Sequence, residues 1–179
     1  LQSVFDQLAM DPLKAYAIPL KSLRNGVHEY RWTLGGAFFE HFEASPIRKG
    51  NFEVQLLLDK QNDLSTLQIT IEGKYRSVCD RCLADIEIPV CAQHLLYVKS
   101  ANEKVADPSL ICLSPTEQEL RLAGILYESI CLSLPISQTI DCGAMENPPC
   151  DQEVLSRIDR SEGFHADDSA WDPLKKLEQ

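Results

Sequence analysis

Two stretches of alternating apolar residues flank a pair of cysteines, and no other pattern in the chain restricts its fold as much. Leu67, Ile69 and Ile71 alternate with polar residues ahead of Cys79-Asp80-Arg81-Cys82-Leu83, and Ile86, Ile88 and Val90 alternate after it. A period of two sends successive side chains to opposite faces of an extended backbone, so both stretches are expected strands and the cysteines fall in a hairpin turn between them. Thiolates two residues apart on one turn can close on a single soft metal ion, and structural Zn2+ takes four such ligands.

The alternation continues upstream. Tyr16 to Leu20 reads as a short first strand, and Asn25-Gly26 as a turn. His28, Tyr30, Trp32 and Leu34 then share one side of a second strand, and Phe52, Val54, Leu56 and Leu58 one side of another. Between them, Phe38 and Phe42 stand four apart, the spacing of a short helix packed on the core. Downstream, the strand that Ile86, Ile88 and Val90 begin is expected to continue through Leu96 and Val98, with Pro89 at an edge or bulge because it has no N–H for the ladder. Residues 101–108 read as a polar loop and Leu110 to Leu113 as one more short strand. Thr116 and Glu119 form a capping box for a helix over 116–134, with Leu120, Ala123, Tyr127, Ile130 and Leu134 on its buried face and Pro135 ending it. Residues 151–158 suit a short helix. The expected architecture is α+β: a mainly antiparallel, strongly bent sheet, one long helix and a CxxC hairpin turn. Residues 1–14 read as an N-terminal extension, 15–160 as the folded domain, and 161–179 as an acidic linker ending in the apolar anchor Trp171 to Leu177. Met10 is a candidate initiator, which would make residues 1–9 an addition.

Composition narrows the classes. At 179 residues with 44% hydrophobic and 25% charged side chains, the chain suits one globular domain with extensions. No apolar run reaches the roughly 18 residues of a membrane span, and no basic stretch precedes an apolar one at the N-terminus, so the cytoplasm is expected. Seven cysteines, an odd number, without a secretory signal favour reduced thiols or metal ligands over disulfides. The net charge is −10 and uneven: residues 1–100 carry 11 basic and 12 acidic side chains, residues 101–179 carry 6 and 15. An acidic half repels phosphate backbones and suits a basic protein partner, which leaves direct nucleic-acid binding an open question.

Cys142 and Cys150 are the candidates to complete a four-sulfur site with Cys79 and Cys82. Seven residues separate them, where a compact half-site has two to four. His165, His41 or His94 could replace one ligand. The plain alternative is that the thiols bind nothing and pack as small hydrophobes. A redox motif would need CxxC to open a helix in a βαβ unit, and here a hairpin surrounds it. Cys91, Cys112 and Cys131 lie within regular elements and read as packing residues. Asp80 and Arg81 occupy the tip between the thiols, where Arg81 could steady thiolate charge or touch a partner; a solvated turn pair is the other reading. No nucleophile elbow, phosphate-binding glycine loop or metal-hydrolase helix motif is present, so nothing points to catalysis.

Taken together, these residues resemble a known family. Cys79-Asp80-Arg81-Cys82-Leu83 resembles the hallmark of the YceD family, the large ribosomal RNA subunit accumulation proteins. Ile18 to Leu23 with Gly26, the pair Phe38-Phe39, the set Glu128, Leu132, Leu134 and Pro135, then Cys150 and Asp172 to Leu177 agree in order. The resemblance implies a bacterial cytoplasmic protein that serves ribosomal RNA accumulation and large-subunit biogenesis, with no known enzymatic activity. Many relatives carry a second close cysteine pair; this chain departs there, and Cys79, Cys82 and Cys150 are the thiols that fall at family positions. The function expected is a non-enzymatic, zinc-binding accessory protein that docks on a basic ribosomal protein or pre-ribosomal particle, away from any membrane. A metal-free interaction domain and a CxxC thiol redox protein are the alternatives.

Overall fold

A computed structural model describes residues 12–101, 107–142 and 145–162. Two compact units divide the chain. The first takes residues 1–76 and 87–136, the second residues 77–86 and 137–179. The expected extension over 1–14 and linker over 161–179 lie largely outside the described residues, as do Met10, His165 and the Trp171 to Leu177 anchor.

The first unit is built on a five-stranded sheet of β2 (Gly26–Leu34), β3 (Gly50–Lys60), β4 (Leu64–Val78), β5 (Asp85–Ser100) and β6 (Leu110–Leu113), in that order. β2–β3 and β3–β4 are antiparallel; β6 joins β5 in parallel, Tyr97 opposite Leu110. The expected alternation places one face inward: Trp32 pairs with Val54, Leu34 with Phe52, Leu56 with Ile69, and Val54 with Ile71. Leu56, Leu58, Leu67, Ile69 and Ile71 are fully buried. Each such side chain contributes about 1.5–3 kcal/mol relative to exposure. Pro89 lies on a part of β5 that the β6 register, beginning at Tyr97, does not reach, so its missing N–H breaks no bond to that strand.

Packing requires one glycine, Gly73, and backbone conformation another, Gly26. A Cβ at Gly73 would come within 2.4 Å of the Asn51 carbonyl oxygen and 2.7 Å of Phe52 Cα. Gly26 takes φ +125°, which opens β2 directly after the Asn25 turn. The turn is held to the β3–β4 connection, where Asn25 Nδ2 donates to Asn62 Oδ1 at 2.7 Å.

The helix expected over 116–134 is shorter. α2 runs Ala123–Leu132 and starts from Leu122 without a side-chain cap. Residues 120–121 form β7 and pair antiparallel with β1 (Ala17–Ile18), Ile18 opposite Leu120; Leu122 N then donates to Tyr16 O at 2.9 Å. Thr116 and Glu119 therefore do not form a capping box. Glu117 instead accepts from Ser114 N at 2.8 Å in a local turn. Leu120 is still buried, but as a strand residue, and the inward face of α2 is Ala123, Leu126, Ser129 and Ile130. Tyr127 is half-buried and stacks on Phe42 with ring centres 3.9 Å apart. Phe38 and Phe39 close the four-residue α1 (Gly36–Phe39) and are buried, and the expected Phe38–Phe42 contact forms at 5.4 Å between ring centres.

In the second unit, residues 77–86 meet a C-terminal segment containing α3 (Gln152–Glu162), which extends beyond the expected 151–158. Among the described residues, no helix is long and apolar enough to cross a membrane.

Candidate metal centre

All four thiols proposed from the sequence as ligands belong to the second unit. Cys79 and Cys82 lie in the connection from β4 to β5, strands that are neighbours in the sheet. Two backbone bonds close this connection: Cys79 N donates to Ala84 O at 2.8 Å, and Leu83 N to Cys79 O at 2.9 Å. Leu83 takes φ 60° while 66% exposed. A side chain in that left-handed region costs about 1–2 kcal/mol. The turn it makes leaves the Ala84 N–H donating to Cys82 Sγ. Both sulfur-bearing residues are only 2% exposed.

The second segment is fastened onto this turn by Asp80. Its N–H donates to Gln138 O at 3.0 Å, and its carboxylate accepts from Gln138 N at 2.6 Å. Ser77 Oγ donates to the Gln138 side-chain carbonyl. Asp80, expected at a partner-facing tip, is thus engaged within its own unit, while Arg81 beside it is exposed. Farther on, Cys142 N donates to Ile140 O at 2.9 Å. Asp151 caps α3, its Oδ1 accepting from Glu153 N at 2.9 Å and Val154 N at 3.2 Å. The Asp151 N–H itself donates to Cys82 Sγ, so the start of α3 is tied to the CxxC turn directly after Cys150.

Cys82 neighbours Cys79 and Cys150, and Cys150 neighbours Cys142. The N–H groups of Ala84 and then Asp151 hold the Cys82 thiol below its usual value. Cys150 is pushed up to about 12, first by its hydrogen bond to Cys142 and then by burial and the charge of its neighbours. In number and softness the donors fit Zn2+. Among the described residues, no group of three or more His, Cys, Asp or Glu side chains is placed so that it could hold a metal ion.

The other candidates fall elsewhere. His41 and His94 belong to the first unit, where His94 Nε2 bonds Ser133 Oγ at 2.8 Å. Cys112 and Cys131 are half-buried, in keeping with packing, and burial raises the Cys131 thiol. Cys91 is exposed on β5, contrary to the packing role expected of it. Sequence reasoning passed over Gln138 and Asp151. Asp151 was visible as a helix cap ahead of Val154, Leu155 and Ile158, whereas nothing local marks Gln138 as the partner of a residue so far upstream.

A family model described as Large ribosomal RNA subunit accumulation protein YceD matches residues 67–178, more than half of the chain and a span that contains all four thiols. The segments resembling the family before Leu67 lie outside that match. No curated protein and no solved structure matches the chain.

Proposed function

The chain belongs to the YceD family of large ribosomal RNA subunit accumulation proteins, and on that premise we propose that it is a non-enzymatic accessory factor in large ribosomal subunit biogenesis, stapled by Zn2+. The observation that carries this reading is the gathering of Cys79, Cys82, Cys142 and Cys150 from two distant segments into one unit. These four would hold the ion. Zn2+ bound there would supply folding energy and neutralise the thiolates. A reaction centre built on CxxC needs solvent access, and Cys79 and Cys82 are both buried.

The factor would act in the cytoplasm on a pre-ribosomal particle. Its net charge of −10, concentrated after residue 100, favours a basic ribosomal protein as the direct partner. Arg81, exposed at the CxxC tip, would face an acidic or phosphate-bearing part of the same particle. Co-sedimentation with large-subunit precursors over a salt series tests the proposal. Comigration at low salt that fades as salt rises is the expected result, and absence of comigration at low salt refutes it.

One observation favours a second reading, a thiol redox protein: the lowered pKa of Cys82 beside Cys79 and Cys150. Alkylation rates against pH separate the two. Reaction of Cys82 no faster than that of exposed Cys91 at neutral pH removes the redox reading.

A further inference from the structure

The exposed cations of the first unit are unevenly placed, given the acidity of the chain. Lys49 precedes β3, and Lys74 and Arg76 stand two apart on β4, hence on one face of the strand, with Tyr75 between them turned inward and 1% exposed. The sheet register lays the two segments side by side: Gly50 is opposite Tyr75 and Asn51 opposite Lys74. Arg76 N donates to Lys49 O at 2.8 Å, which fixes the main chain of the loop to the strand. Together Lys49, Asn51, Lys74 and Arg76 line a shallow groove of about 210 Å³, and exposed Arg48 adjoins it in sequence.

We infer that this groove is a contact site for the phosphodiester backbone of RNA. The inference rests on the ribosome-biogenesis reading above and gives it a second, nucleic-acid contact beside the protein one. Three cationic side chains and an amide offer donors to phosphate oxygens, Arg76 through a planar fork suited to two of them. A single acid lines the groove. Glu87 Oε2 accepts from Lys74 at 2.8 Å, and its Oε1 from Arg76 at 3.5 Å. Exposed pairs of this kind contribute little, so a phosphate can take over both cations at small cost. An acidic protein segment would merely exchange one carboxylate for another there. A nucleic-acid strand brings a row of anions, and binding it releases counterions.

The test uses the full chain and a fluorescein-labelled single-stranded RNA oligonucleotide, with anisotropy read over a salt series. The variant carrying Lys49→Ala, Lys74→Ala and Arg76→Ala should bind tenfold or more weakly. Its slope of log affinity against log salt should flatten by about 2, three contacts at roughly 0.7 each. All three side chains are exposed, so its melting curve should stay close to that of the wild type. Glu87→Gln, which frees both cations, should bind several-fold more tightly; a residue that merely supports the fold would not do this. Wild-type affinity in the triple variant, or no tightening in Glu87→Gln, overturns the inference. Displacement of the RNA by polyglutamate as effectively as by unlabelled RNA also overturns it, since the occupant would then be an acidic protein. Precursor co-sedimentation separates this result from the wider reading. Comigration without groove-dependent RNA binding leaves the biogenesis role standing and removes the groove, and the reverse outcome does the opposite.

Discussion

Leu83 and Glu87 stand four residues apart and show two ways in which a single side chain reports on its surroundings. Leu83 spends backbone energy: φ 60° is the glycine region, and its exposed side chain recovers little by burial. Leu83→Gly should raise stability by roughly 0.5–1 kcal/mol, the relief of the left-handed strain less the extra freedom of the unfolded glycine. Chemical denaturation checks this, and a loss of stability would mean that the side chain supports the turn. Glu87 has its carboxyl pKa lowered chiefly by Lys74 and then by Arg76. Because the folded value is the lower one, the stabilisation is present above the unfolded pKa of about 4.3 and disappears as pH falls through the folded value. Lys74→Ala should move the NMR titration midpoint of Glu87 upward, and more than Arg76→Ala does. Equal midpoints in all three proteins would contradict the pairing.

At the scale of elements, the strands were the legible part. Side chains alternating over Phe52 to Leu58 and Leu67 to Ile71 can bury one face only as strands, and both lie where the period put them. The expected helix over 116–134 failed at its start for a reason no local pattern holds. Leu120 fits a helical stripe as well as a strand, and the choice is made by Ile18, about a hundred residues upstream, whose backbone pairs with it. The parallel β5–β6 pairing was likewise invisible, since four apolar residues carry no direction. At α3, by contrast, Asp151 ahead of Val154, Leu155 and Ile158 follows the ordinary rule for a helix start. Asp151→Ala should cost about 1 kcal/mol through the lost cap. Asp151→Asn should recover most of that, because its amide oxygen can accept the same bonds. Thermal melts of the two variants decide whether the cap or the charge matters.

At the scale of the whole molecule, the CxxC motif marks one of the two segments that the second unit brings together, and its spacing says nothing of the other. The irregular spacing of Cys142 and Cys150 counted against them in the sequence, yet Asp80–Gln138 and Asp151–Cys82 bonds bring that segment onto the turn. If Zn2+ holds the four thiols, protein purified without a metal-affinity step should contain about one ion per chain. Chelation or Cys82→Ser should then lower the melting temperature, by roughly 2–4 °C for each kcal/mol lost. Identical melts with and without chelator would dissociate the thiols from any metal. The charge of the chain divides at a similar scale: acid dominates after residue 100, while Lys49, Lys74 and Arg76 collect before it.

The second unit is discontinuous, drawing residues 77–86 and 137–179 from either side of the α2-bearing portion of the first. A nascent polypeptide therefore carries residues 77–86 without the rest of their unit until residues 137–162 have been made. Truncation before Gln138 would leave the 77–86 turn without the backbone that Asp80 grips, so this unit can close only once its C-terminal segment exists.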